Sequence, residues 1–309
     1  MRPTHFLFAV AAACLWGGGG VVGVLFGEHV GLSPLGVAVW RMGVAGVTLL
    51  GALAVTGRLD VNRWGRATWT RMAVTGVLTA IFEAAYFVSI DLASVGLATL
   101  IGIGSAPVFV AVYDAVVTRK WPSARATIAL GLALSGLVLL VGGGLASGDD
   151  ILGGVAVALL AGATFAAITI VNRRPVEGLN PVALTGGAFT IGAIALLPFA
   201  LVSGLAVPTD AVGWALALGM GVVITGLAYV LYLAALATVP AFVATVVTLL
   251  EPLIATLLDA IIFGERLGPA GAVGGILLGT AVVLLRPQRD ESAPEAEPPT
   301  IVQDSGTQY

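Results

Sequence analysis

The chain has 309 residues, of which 58% are hydrophobic and only 10% charged, with a formal net charge of −3. A soluble domain keeps about a quarter of its residues charged because its surface faces water. That composition excludes an ordinary water-exposed fold and leaves lipid as the solvent for most of the chain. Backbone donors and acceptors in lipid need internal partners, which restricts the spans to helices or closed barrel strands.

About ten apolar spans follow one another, each near the ~20 residues a helix needs to cross a bilayer. They are predicted at 6–26, 34–56, 72–90, 94–117, 126–143, 152–171, 182–203, 212–236, 241–263 and 270–285. Strict alternation is lacking and barrel strands would be nearer ten residues, so the expectation is an all-α membrane protein. Span 1 is too long for a signal-peptide core and lacks a small-residue cleavage site, so it reads as a retained helix. Its Cys14 is the single cysteine and has no disulfide partner in the chain. His5 and His29 flank the same span at opposite ends, too far apart to share a metal. Trp16 lies ~15 Å into span 1, too deep for an interfacial aromatic belt. It precedes Gly17, Gly18, Gly19 and Gly20. Two readings stand: a Trp wall with a Gly segment lining a cavity, or a face for close helix packing.

Ionisable groups inside spans cost about 2.5–3.5 kcal/mol each on insertion scales, so each is a site hypothesis by default. Arg41 lies ~10 Å from the outer end of span 2, and Glu83 ~18 Å from the inner end of span 3. Both therefore sit at similar depth in a ~30 Å core, where an Arg–carboxylate pair lowers the cost of both charges. One reading has Arg41 receiving a substrate carboxylate while Glu83 takes a proton or a substrate ammonium. The other is a permanent structural ion pair, or Arg41 snorkelling to the outer interface. Tyr86, one turn beyond Glu83, brings a hydroxyl towards the same cavity. Asp91 reads as a solvated turn residue.

Pro107 interrupts span 4 and Pro252 interrupts span 9, each a predicted kink. Glu251 is ~15 Å into span 9, beside Pro252, near the midplane. It reads equally as a proton carrier or as a protonated carboxyl bonded to a neighbouring helix. Asp114 and Asp259 lie within a turn or so of helix ends, where the interface hydrates them. Tyr229 and Tyr232, near the inner end of span 8, fit an interfacial belt equally well. Residues 287–309, with Asp290, Glu291, Glu295, Glu297 and Asp304 among Pro, Ala and Ser, read as a disordered cytoplasmic tail.

Orientation comes from the basic residues. With the N-terminus inside, the cytoplasmic loops collect Arg2, Arg58, Arg63, Arg66, Arg71, Arg119, Lys120, Arg125, Arg173, Arg174, Arg286 and Arg289. Only Arg266 falls outside, and Arg41 lies within a span. The positive-inside rule then places both termini in the cytoplasm. Lys120 is the single lysine, which points to a GC-rich genome and so to a bacterium.

The halves correspond. Leu32-Ser33-Pro34-Leu35 opens span 2, and Leu179-Asn180-Pro181-Val182 opens span 7. Ala106-Pro107 in span 4 matches Glu251-Pro252 in span 9, and Asp114 falls on Asp259. Five spans per half is odd, so the second half enters from the opposite side, and matching loops accordingly differ in charge. The expected division is 1–145, 150–286 and the tail 287–309. Inverted repeats are characteristic of secondary transporters, whose site lies between the halves near the midplane. Symmetry fails at the charges: Arg41 matches Ala188, and Glu251 matches Ala106.

With those residues in place, the chain resembles the drug/metabolite transporter superfamily, specifically its EamA-type ten-helix members. The resemblance is carried by Ala13-Cys14-Leu15-Trp16-Gly17, Leu32-Ser33-Pro34 with Trp40-Arg41, Leu250-Glu251-Pro252-Leu253, and Gly264-Glu265-Arg266-Leu267. It covers about residues 6–286 and implies a plasma-membrane carrier, usually an exporter of amino acids, other metabolites or drugs. Arg119-Lys120-Trp121-Pro122 departs from the Gly-Glu pair the family often carries there.

The functional expectation is a secondary-active exporter of amino acids or other small metabolites working by alternating access, with proton coupling at Glu83 or Glu251 as the candidate energy source. A drug or toxic-compound efflux carrier is the alternative within the class, and a membrane scaffold or enzyme the alternative outside it. No diphosphate motif, His-Glu-x-x-His or Gly-x-Ser-x-Gly elbow is present in the sequence, and no segment is long enough for a fused ATPase. The expected partners are a small-molecule metabolite and the lipid bilayer, with a homodimer left open. Neither nucleic acid, nor a cofactor, nor a metal is expected.

Overall fold

The computed structural model describes residues 1–141, 150–262 and 268–287. Among these the chain is helical with no strand, and nine segments are long and apolar enough to cross a membrane. A tenth apolar helix, Pro269–Leu285, is shorter. The Gly264–Leu267 motif and residues 288–309 of the expected tail lie outside the described residues.

Span 1 is two helices, α1 (Pro3–Gly17) and α2 (Gly19–Val30), joined at Gly18. Span 2 is α3 (Pro34–Val55) and span 3 is α4 (Arg66–Leu92), which starts earlier than predicted and takes in Asp91. Asp91 is thus an exposed residue of a last helical turn and not part of a loop. Span 4 breaks into α5 (Val95–Gly102) and α6 (Ala106–Val117). Spans 5, 6 and 7 are α7 (Ala124–Val141), α8 (Ile151–Asn172) and α9 (Pro181–Ser203). Span 8 begins as α10 (Ala211–Leu218), widens into a π-helix over Gly219–Leu227 and ends as α11 (Ala228–Ala235). Span 9 breaks into α12 (Ala241–Val247) and α13 (Leu250–Ile262), and α14 (Pro269–Leu285) closes the bundle.

Short polar residues start these helices because their side chains satisfy amides that lack an intrahelical partner. Ser33 accepts from Gly36 N at 3.0 Å and Asn180 from Ala183 N at 2.8 Å, each followed by a proline in the first turn, where no N–H is needed. Asp150 and Asp210 cap α8 and α10 in the same way. Spans 4 and 9 follow the same rule. Each unwinds just before its proline, at residues 103–105 and 248–249, so Pro107 and Pro252 fall in the first turn of the new helix.

Helix α4 packs against α8 and α9, α3 against α9, α1 against α11 and α13, and α7 against α14. Thr75 of α4 and Asn172 of α8 exchange buried hydrogen bonds at 3.0 and 3.3 Å, the kind of polar tie that holds helices together in lipid. Glycines set the closest approaches. A Cβ on Gly136 would lie 2.6 Å from the Gly274 carbonyl, and one on Gly274 would lie 2.6 Å from the Gly136 carbonyl. Large apolar side chains such as Phe199, Val202 and Ile261 face outwards, the surface of a multi-pass integral membrane protein.

Candidate functional site

Arg41 on α3 and Glu83 on α4 meet inside the bundle. Arg41 Nη1 lies 3.3 Å from Glu83 Oε2, and the Glu83 side chain is only 2% exposed. Similar depth in neighbouring spans is what brings them together, and snorkelling of Arg41 to the interface is excluded by its inward partners. Its Nε donates to Thr225 Oγ1 at 3.1 Å. Thr225 lies in the π-helical stretch, an element often found at functional sites and without a local sequence signature. The only hint available from sequence was one hydroxyl between apolar residues and Gly226. With two donors engaged, the guanidinium keeps further N–H groups for another acceptor.

Glu251 sits in the first turn of α13, directly after the break in span 9. It is half-buried and within electrostatic reach of Arg41 and Glu83; its backbone N–H donates to the Thr248 carbonyl at 2.9 Å, while its carboxylate makes no hydrogen bond or ion pair with the described residues. When all three groups are ionised, one guanidinium faces two carboxylates, leaving an excess negative charge. Helix α1 closes on this point: a Cβ on Gly17 would meet the Glu251 carbonyl at 2.9 Å and Ile254 Cβ at 2.5 Å.

Aromatic rings wall the cluster. Trp16 stands edge-on to Tyr229 at 4.8 Å and Phe165 at 6.1 Å, and is tilted over Tyr232 at 5.2 Å. Phe165 contacts Phe82, which stacks on Tyr86. Tyr229 and Tyr232 are buried, so neither belongs to an interfacial belt; Tyr229 packs on the rings of Trp16 and Phe189, and Tyr232 on those of Trp16 and Phe165. The Tyr86 hydroxyl is already paired with Thr99 Oγ1 at 2.8 Å, and that of Tyr232 with Thr169 Oγ1 at 2.7 Å. Trp16 Nε1 is buried without a hydrogen-bond partner among the described residues. Trp16 is thus packed among aromatic rings, and Gly17 beside it is a point of close helix approach.

The two ends of the bundle are tied separately. Asp114 is not simply hydrated but pairs with Arg173 Nη1 at 2.6 Å, and that guanidinium lies 5.1 Å from the Tyr113 ring centroid. At the other end His29 Nε2 meets Asp210 at 2.9 Å, and Trp40 Nε1 donates to the Ala206 carbonyl at 2.9 Å. The Gly213 amide and His29 together hold the Asp210 carboxyl below the usual aspartate range. His5 instead bonds Thr238 Oγ1, apart from His29. No cluster of His, Cys, Asp and Glu able to hold a metal occurs among the described residues. Arg119 adopts φ 54°, a left-handed conformation that favours glycine and fits the Gly often found there in the resembled family.

The model of the EamA-like transporter family matches residues 4–142 and again residues 152–286. The chain belongs to that family. A Bacillus subtilis (strain 168) protein named uncharacterized transporter YwfM is 31% identical over 294 residues, 94% of this chain and 97% of the relative. An uncharacterized transporter of Archaeoglobus fulgidus is 29% identical over 263 residues, 84% of this chain and 89% of its own. A crystal structure aligns with a TM-score of 0.78 at 17% identity, covering 92% of this chain and 96% of the other, a likeness of fold alone. Family membership and fold make this EamA-like chain a multi-pass membrane transporter.

Proposed function

We propose that this EamA-like protein is a secondary-active carrier that exports amino acids or other small amphipathic metabolites by alternating access, exchanging substrate for protons at Glu251. The observation that carries this reading is a buried Arg41–Glu83 pair joined by an unpaired Glu251 carboxylate at a helix break, walled by Trp16, Tyr229 and Phe165. An excess negative charge in a low-dielectric interior is costly, so the cluster favours either a bound proton or a bound ammonium. Those two occupants exclude each other, which is the basis of exchange. Arg41, with N–H groups left over, offers hydrogen bonds to a substrate carboxylate, and Tyr86 and Trp16 shape the wall.

Two matches of one family model, and a span broken just ahead of a proline at the matching place in each half, support a duplicated scaffold. The odd number of spans per half and the distribution of Arg support inverted halves with both termini in the cytoplasm. The Asp114–Arg173 and His29–Asp210 ties at opposite ends suit contacts that open in turn. The setting is a bacterial inner membrane.

Purified protein in proteoliposomes tests the reading. Vesicles preloaded with a panel of unlabelled amino acids should take up the matching labelled compound transiently and saturably. Steady conductance without counterflow would mark a channel, and movement of hydrophobic cations in place of amino acids would mark a drug efflux carrier.

A further inference from the structure

Where α7 begins and α14 ends, a crevice of about 280 Å³ opens at the end of the bundle. Arg125, Arg286 and Ser123 form its polar wall; Val243, Leu284 and Leu285 form its apolar one. No carboxylate lines it, and the ion pairs among the described residues use neither arginine. Arg125 is held in place by donating from Nη2 to the Arg286 carbonyl at 3.4 Å, at the C-terminus of α14. Two like charges thus share one concave surface with no described group to neutralise them.

Guanidinium forks match phosphate oxygens bidentately, and basic pockets between helices at a membrane boundary suit lipid headgroups. Leu285 belongs to the buried core and Val243 and Leu284 pack against it, while Val283 on the same last turn of α14 is exposed on the apolar outer surface, where the root of an acyl chain would lie. We propose that this crevice binds a phosphate-bearing anion, supplied as the headgroup of an anionic phospholipid in the leaflet at the arginine-rich end.

The full chain, depleted of lipid in detergent, is titrated with phosphatidylglycerol, phosphatidylcholine or inorganic phosphate while its Tm is followed. Phosphatidylglycerol should raise Tm by about 3 °C or more, and phosphatidylcholine should not. The double variant Arg125→Gln/Arg286→Gln should lose the shift. Arg125→Lys/Arg286→Lys should need about tenfold more lipid, because the charge stays and the fork goes. If the Gln variant does not fold, the Lys variant decides. Arg58→Gln/Arg66→Gln, basic residues outside the crevice, should respond like wild type. Equal responses to the two lipids, or an unchanged lipid requirement in the Gln and Lys variants, would overturn the site. An equal response to inorganic phosphate would overturn the lipid source, and a response seen only after deleting 288–309 would assign the crevice to the chain's own tail.

Discussion

Removing Arg41 leaves the buried Glu83 charge uncompensated, which costs about 3–5 kcal/mol in comparable pairs, whereas removing Glu83 breaks the paired geometry but leaves Arg41 within reach of Glu251. Arg41→Met and Glu83→Gln should each lower Tm, and the double variant should lose less than the two losses combined; a double-mutant cycle in detergent measures this. Additive losses would mean the pair is not coupled. Asp210 gives a second test. Its carboxyl is depressed in the folded protein, so its contribution is present above the ordinary aspartate range and vanishes as pH falls through its own lower value. Asp210→Asn keeps an acceptor for the cap but not the titration, so its Tm should fall less steeply than wild type on acidification. At this scale the sequence revealed depth but not partners. Arg41 and Glu83 were legible because 1.5 Å per residue converts position into depth. Thr225 was not, because which hydroxyl meets Arg41 depends on how α3 packs on the π-helical stretch.

Helix ends and breaks show how local chemistry builds the elements. Pro107 and Pro252 read as kinks within spans, yet the chain unwinds ahead of them because a proline is tolerated in a first turn and not in the middle of a helix. That unwinding places Glu251 at a helix start rather than mid-span. The π-helix of span 8 had no signal strong enough to be read, since apolar periodicity continues through it, whereas the junction at Gly18 falls inside the Gly17–Gly20 run that weakens a helix. Close packing is testable on α7. Gly136→Leu forces a side chain into the backbone of α14 and should destabilise the protein by at least about 2 kcal/mol. Gly131→Leu, on the same helix with open space around it, should leave Tm nearly unchanged.

For the whole molecule, composition and span length were enough to imply a helical membrane bundle, because lipid permits so few backbone solutions. The way the ten spans assemble was less accessible, since lipid-facing and protein-facing surfaces are both apolar and hydrophobicity does not separate them. The candidate site lies where α1, α3, α4, α11 and α13 converge, so the proposed rocking of one half against the other would change what surrounds Glu251. The account stands most directly on that carboxylate. In proteoliposomes under an imposed pH gradient, wild-type protein should concentrate its substrate against the substrate gradient. Glu251→Gln should retain counterflow yet lose the response to pH. Accumulation driven by the pH gradient in Glu251→Gln at the wild-type rate would contradict the account.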